Sequence, residues 1–218
     1  MNIIELTVRD AFCLNRIGFV SQKRPGSKGR FGYVVDLVLI LASASPRRHE
    51  LLLAAGIHHV VQPTSIAEIR NPNEAPADFT KRIAAEKAEA VICGPEDIVL
   101  GADTVVCVED AVLGKPRDDH DAARMLRLLS GRDHWVFTGI CILFKKRRIL
   151  DLSSTKVSFA KLTEEEIREY TRSGEPRDKA GAYAIQGRAS KFVSSIEGSY
   201  HNVVGLPVSL VYRHLKTL

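Results

Sequence analysis

The chain has 218 residues, 45% of them hydrophobic, enough to bury a full core as one domain or two small lobes. Its formal charge of +5 suits a polyanionic partner, whether nucleic acid, nucleotide or membrane surface, and does not choose among them. With 6% aromatic residues and no tract in which arginines and aromatics interleave, an RNA-reading surface is disfavoured, and no apolar run is long enough to span a membrane.

In chain order, residues 1–36 stand apart. Lys23, Arg24, Lys28 and Arg30 alternate with Gly26, Gly29 and Gly32 without hydrophobic periodicity. A disordered leader, an organelle-targeting stretch and translated sequence upstream of the true start are all open readings. This segment is set outside the fold, which is expected to occupy residues 37–218. Leu37 to Leu41 reads as a buried strand that ends in Ala42-Ser43-Ala44. Ser45 is then a natural helix N-cap, with Pro46 at the first helical position and Gly56 as the left-handed stop. Val60-Val61 is a short strand, and the polar stretch from Pro63 to Pro76 is a loop that carries Glu68. Asp78 to Cys93 is predicted as a helix, with Phe79, Ile83, Lys87 and Val91 on one stripe.

Ile98 to Val108 reads as a central strand. Gly114-Lys115-Pro116 is a turn, and Asp121 to Leu129 a helix stopped at Gly131. Trp135 to Leu143 and Ile149 to Phe159 are two strands joined by the basic tip Lys145 to Arg148. Thr163 to Glu166 is a capping box that opens a helix to Tyr170, with Gly174 past its end. Residues 175–187 form a loop in which small residues, Lys179 and Gln186 crowd together, as in a segment that approaches a ligand closely. Phe192 to Ile196 and Tyr200 to Val204 are expected to make a final hairpin, and Pro207 to start the last helix. Of the four cysteines, Cys13, Cys93, Cys107 and Cys141, no two form a CxxC pair, and Cys107 and Cys141 sit in apolar runs as small core residues. That usage fits a reducing compartment without a zinc site. The histidines show no ligand spacing, and His58-His59 reads as a loop or strand edge.

Four residues carry chemistry. Arg47 and Arg48 stand in the first turn of a helix, the wrong end for cations on the helix dipole. Either they are solvated, or they grip an anion together with free N–H groups and the Ser45 hydroxyl, as at a phosphate site. Asp103 lies inside an apolar strand, where an unpaired carboxylate is costly. It is a site candidate, the alternative being a bulge Asp that satisfies backbone donors. Lys87, in the middle of an apolar stripe, either snorkels to solvent, the commoner case, or reaches a buried anion.

Ser43-Ala44-Ser45-Pro46-Arg47-Arg48, Gly101-Ala102-Asp103-Thr104-Val105-Val106, Gly114-Lys115-Pro116 and Leu129-Ser130-Gly131 resemble motifs of the Maf family. So do the run Asp178-Lys179-Ala180-Gly181-Ala182-Tyr183-Ala184-Ile185-Gln186-Gly187 and the run from Tyr200 to Pro207. In this order they cover the chain from about Val38 to its end. The resemblance implies an α/β fold related to inosine triphosphate pyrophosphatases, a mixed sheet flanked by two lobes with a nucleotide cleft. It implies a nucleoside triphosphate pyrophosphatase of the branch acting on dTTP and UTP, with a divalent metal, magnesium or manganese, and a cytoplasmic location. Other readings kept open are 7-methyl-GTP or inosine-type substrates, and a non-catalytic nucleotide-binding regulator of septum formation. A homodimer is left open, no membrane partner is expected, and nucleic acid is disfavoured.

Carried over by position, Asp103 is the catalytic base, while the Arg47/Arg48 pair, Thr104 and Gln186 match positions tied to substrate choice. On the chemistry of phosphate transfer, Ser45, Arg47, Arg48, Lys87 and Lys115 are expected to hold the triphosphate, with Lys179 nearby. Glu68 and Asp103 are expected to hold the metal, and Gln186 to meet the edge of a pyrimidine. Two departures stand out. Where the family has two adjacent carboxylates or an Asp-Glu pair, this chain reads Ile66-Ala67-Glu68, leaving Glu68 alone. Ala184 stands where Gly is frequent.

Overall fold

The computed structural model describes residues 38–218; the expected N-terminal extension, residues 1–36, lies outside it. A seven-stranded mixed sheet organises the molecule, in the order β2-β1-β3-β5-β6-β7, with β4 also paired to β3. β1 (Leu39–Leu41) lies parallel between β2 (Val60–Val61) and β3 (Ile98–Val108). β4 (Ala111–Leu113), β5 (Asp133–Phe144), β6 (Arg147–Phe159) and β7 (Val193–Glu197) complete it by antiparallel pairing. Continuous apolar runs make β3 and β5 long central strands, and Lys145-Lys146 is the turn that folds β5 back on β6.

The helices are α1 (Pro46–Ala54), α2 (Pro76–Glu89), α3 (Asp119–Leu129), α4 (Glu164–Arg172), α5 (Tyr200–Val204) and α6 (Val208–Leu215). Their ends follow the expected chemistry. Gly56, Gly131 and Gly174 adopt φ of 68°, 67° and 73° just past helix ends, which costs glycine nothing. Thr163 and Glu166 form the reciprocal capping box.

One element departs from expectation. Tyr200–Val204 is helix α5, not the second strand of a hairpin, and the strand before it pairs with β6 instead. The β-branched Val203 and Val204 read as strand, but Ser199 caps the turn by accepting from Asn202 N, and Gly205, at φ 128°, ends it. Buried Asn202 then fixes this single turn by donating through Nδ2 to Val136 O at 2.9 Å and Thr155 Oγ1 at 3.0 Å. The helix predicted from Asp78 begins two residues earlier, at Pro76, and β4 was not anticipated at all.

The core divides along β3 and β5. On one face, Ile98, Leu100 and Ala102 join Ile140 and Ile142 under α6; Val106 and Val108 join Val136 in a second cluster under α3 and α4. Thr104 stands between the two. On the opposite face α2 lies directly on the sheet. Gly101 and Gly139 make this approach feasible: a Cβ at Gly101 would sit 2.0 Å from Ala84 O, and one at Gly139 2.5 Å from the Thr80 carbonyl. The close approach carries Lys87 of α2 down to Asp103 of β3.

Candidate active site

The cleft opens where β3 loses its neighbour. Along one edge β3 pairs with β1 as far as Leu100 and with β4 from Val106 onward, so residues 101–105 have that edge unpaired. The chain leaving β1 turns into α1 on one side of this gap, and the chain leaving β4 turns through Gly114-Lys115 on the other. A cleft of about 760 Å³ fills the space, lined by residues of both core clusters.

At its floor Asp103 is 5% exposed and Lys87 8%. Lys87 Nζ lies 2.7 Å from Asp103 Oδ1 and 2.7 Å from Glu68 Oε1. The lysine of the apolar stripe therefore reaches anions rather than snorkelling out, and it gathers the two carboxylates onto one point. Burial pushes the Asp103 carboxyl above the usual carboxylate range, against the pull of Lys87 and Arg48. Glu68 sits in a wetter place. Burial pushes it up too, but Lys87, then Lys115 and Arg48, outweigh that and hold it below its ordinary value. The donor set fits magnesium or manganese: two carboxylates side by side offer hard oxygen ligands of the kind that share such an ion with substrate phosphates. Among the described residues no group of three or more His, Cys, Asp or Glu forms a cage, so phosphate oxygens and water would complete the coordination.

The two arginines have different settings. Arg48 is buried and spends its guanidinium on the chain, donating to Gly205 O at 2.8 Å, Ala102 O at 2.8 Å, Ser43 Oγ at 3.0 Å and Thr104 Oγ1 at 3.1 Å. It takes the unpaired carbonyl of Ala102 and the side-chain hydroxyl of Thr104, one on each side of Asp103, and ties α1 to the end of α5. Burial lowers its pKa, opposed by Asp103 and Glu68. Arg47 faces the cleft and donates across it to Asp178 Oδ2 at 3.2 Å. Asp178 is also paired with Lys179. Ser45 is the N-cap by position, yet its hydroxyl makes no capping bond; Ser43 Oγ accepts from Ser45 N at 3.3 Å instead. Ser45, Lys115, Lys179, Thr104 and Gln186 all line the same cleft, so every sequence-predicted site residue converges there.

Residues 38–218 match the family model described as Maf-like protein. The chain belongs to the Maf family. It is 48% identical over 185 residues to the dTTP/UTP pyrophosphatase of Koribacter versatilis (strain Ellin345), covering 84% of this chain and 96% of that protein. It is 49% identical over 181 residues to the dTTP/UTP pyrophosphatase of Geobacillus sp. (strain WCH70), covering 83% and 97%. Among solved structures, the Staphylococcus aureus Ham1 protein superposes with a TM-score of 0.47 at 10% identity, over 82% of this chain and 98% of that one.

Several cleft residues of this Maf-family chain were not singled out from sequence. Arg70 and Thr64 come from the polar loop around Glu68, and the Thr64 Oγ1 is buried without a partner among the described residues. Ser43 anchors Arg48, and Asp178 bridges Arg47 and Lys179. Of these, Ser43 and Asp178 lay inside recognisable motifs, and their short polar side chains beside expected cations were the available signal. Nothing local distinguishes Thr64 from any loop threonine.

Proposed function

We propose that this Maf-family chain is a nucleoside triphosphate pyrophosphatase that hydrolyses dTTP and UTP to the monophosphate and pyrophosphate. The observation that carries the reading is the meeting of buried Asp103, Glu68 and Lys87 at the floor of a cleft whose rim holds Arg47, Lys115 and Lys179. Relatives of 48% and 49% identity bearing the name dTTP/UTP pyrophosphatase support the choice of substrate.

Cleavage between the α and β phosphates needs three things of the protein: neutralised phosphate charge, an aimed water and a stabilised leaving group. Arg47, Lys115 and Lys179, with the Ser45 hydroxyl and the N-terminus of α1, take the phosphate oxygens. Asp103 accepts the proton of the water that bonds to the α phosphorus, while the bond from that phosphorus to the bridging oxygen breaks and pyrophosphate leaves with the electron pair. Lys87 holds Asp103 and Glu68 in place and favours their ionised forms, against the burial that raises Asp103. Arg48 holds the Ala102 carbonyl and the Thr104 hydroxyl on either side of Asp103 and adds its positive field. A magnesium or manganese ion held by Glu68 and Asp103 would supply charge neutralisation at the phosphates. Gln186 presents a donor and an acceptor to the pyrimidine, and Thr104 lies beside the catalytic Asp.

This reading goes with a cytoplasmic enzyme that draws on the free nucleotide pool. Among the described residues no helix is long and apolar enough to cross a membrane.

The test is pyrophosphate release by the purified protein with magnesium, over dTTP, UTP, CTP, 7-methyl-GTP and ITP. Release from dTTP and UTP is expected, lost with EDTA and lost in Asp103→Asn while that variant still binds nucleotide. Release confined to 7-methyl-GTP or ITP would move the substrate class. Binding without release from any of them would point instead to a nucleotide-responsive regulator.

A further inference from the structure

Of the two carboxylates assigned to the metal, Asp103 stands inside β3 and Glu68 lies outside regular structure. The chain from 62 to 75, between β2 and α2, forms neither helix nor strand. The Glu68 side chain is 46% exposed, with its carboxylate resting on Lys87 of α2. Magnesium demands near-ideal octahedral geometry, so a ligand on an irregular loop serves it only where the backbone beneath is fixed.

That backbone is fixed from α2. Ile69 N donates to Ala67 O at 3.0 Å, folding the chain tightly about Glu68. The carbonyl of Ile69, the next residue, accepts from Arg82 Nη2 at 2.8 Å. The same guanidinium grips Glu74, farther along the loop, by both oxygens, Nε to Oε1 at 2.7 Å and Nη2 to Oε2 at 2.8 Å. Glu74 also accepts from within the loop, from Asn71 N at 3.0 Å on Oε2 and from Arg70 Nε at 2.7 Å on its carbonyl. One planar fork thus closes both ends of the stretch from Ile69 to Glu74, a task that suits arginine. Glu86 accepts from Arg82 Nη1 at 2.7 Å and steadies the fork along the helix. The Glu74 side chain is 12% exposed, which sets this pair apart from freely solvated ones. The helix that holds the Glu68 carboxylate through Lys87 therefore also holds the backbone beside it through Arg82.

We propose that Arg82, acting through Glu74 and the Ile69 carbonyl, is a positioning residue for the divalent metal, setting the loop so that Glu68 meets the ion that Asp103 holds from the strand. The proposal rests on the reading of Glu68 and Asp103 as ligands of that ion. Arg82 lies outside the cleft lining, so its effect falls on metal affinity and not on the chemical step.

The experiment titrates Mn2+ into the purified protein beside a UTP analogue with an imido bridge between the α and β phosphates, reading free Mn2+ by EPR, with thermal midpoints alongside. Wild type, Arg82→Met, Glu74→Gln and Arg127→Met are compared. Arg127→Met removes an equally forked pair, with Glu164 at 2.8 and 2.7 Å, outside the cleft. Arg82→Met is expected to weaken Mn2+ binding about tenfold, as the loss of a group supporting a metal ligand does. Glu74→Gln leaves the helix intact, serves as the variant that stays folded, and is expected to act in the same direction by less, since Ile69 O keeps its donor. Arg127→Met is expected to change nothing. The kcat of Arg82→Met for UTP is expected to return toward the wild-type value as metal is raised, and Arg82→Met added to Glu68→Gln to weaken Mn2+ binding no further. Affinity kept in both loop variants, lost equally in Arg127→Met, or lost again to the same degree in the Glu68→Gln background would overturn the proposal and leave the reading of the cleft standing. A wild type that holds no Mn2+ beside the analogue, or that releases pyrophosphate in EDTA, would overturn the metal assignment and this inference with it.

Discussion

Lys87 shows how far a single residue can be read. Its place on an apolar stripe marked it as anomalous, and both resolutions of the anomaly were open, because a stripe records which face of a helix is buried and not what lies opposite. The partner, Asp103, was anomalous for the matching reason, a carboxylate in an apolar strand. Each alone was ambiguous; two complementary misfits are best satisfied by each other. With side chains 10% and 7% exposed, the pair leaves little water to compensate a loss. Lys87→Met is therefore expected to destabilise the fold by about 3–5 kcal/mol, and Asp103→Asn added to it to recover part of that, since the carboxylate left without its lysine is then no longer charged. Urea denaturation of the parent and the two variants decides this, and a Lys87→Met protein within about 1 kcal/mol of the parent (the value of a surface pair) would contradict it. Arg48 was less legible: both arginines line the cleft, adjacent arginines look alike in sequence, and only the fold commits Arg48 to Gly205, Ala102 and Thr104. A second buried group, His134, was not read at all. It is 1% exposed, bonded through Nε2 to Tyr183 Oη at 2.9 Å, and burial pushes its pKa from 6.5 down to about 4, with Asp133 opposing weakly. The unfolded chain takes this proton near pH 6.5 and the folded chain only near 4, so between those values the unfolded state holds more protons and stability falls as pH falls, by about 3 kcal/mol in all. His134→Gln is expected to flatten the dependence of the urea midpoint over that window; an unchanged slope would assign it to other groups.

Among the elements, those with long patterns were legible and those decided by contact were not. β3, β5, β6 and α3 announce themselves by apolar runs, caps and stop glycines. β4 has three residues and exists because β3 offers an edge. α5 has five and reads as strand by composition; a single helical turn has no stability of its own, and its hydrogen bonds to β5 and β6 hold it. The placement of α2 belongs to the same class. Gly101 and Gly139 could be seen in the sequence, but that both face one helix follows only from the register that sets Asp103 opposite Gly139. Gly101→Ala is expected to cost about 3 kcal/mol or more, because the blocking atom is backbone and the whole helix must lift. It is also expected to abolish pyrophosphate release, since Lys87 leaves with the helix. Gly114→Ala, with nothing within 4 Å of the added carbon, is expected to stay within about 0.5 kcal/mol of the parent. Equal denaturation midpoints for the two alanine variants would mean that the helix–sheet contact is looser than its geometry.

At the scale of the whole molecule, two lobes are implied by resemblance to a family and not by any local pattern, and the two core clusters on the sheet face away from α2 depend on which helices cover which half of shared strands. One cluster packs under α6, the other under α3 and α4, yet both are built on β3 and β5. Neither can lose its strands without exposing the other, so residues 38–218 are expected to unfold in one transition in spite of two clusters and a cleft. A nucleotide bound across the cleft should then raise that transition as a unit. The Arg47–Asp178 contact already joins the two sides at 3.2 Å, but both residues are solvent-accessible and such a pair adds little; a triphosphate with several ligands from each side adds far more. With Asp103→Asn, which binds without turnover, dTTP at one hundred times its dissociation constant is expected to stabilise by about 2.7 kcal/mol, or about 5–10 °C in the midpoint. Differential scanning calorimetry is the measurement, because it separates a single shifted peak from two. A second peak that stays in place when dTTP moves the first would show that the clusters unfold independently and that the cleft is a boundary between domains. One peak that moves whole would show that the binding free energy of a nucleotide on one edge of β3 is felt throughout the sheet.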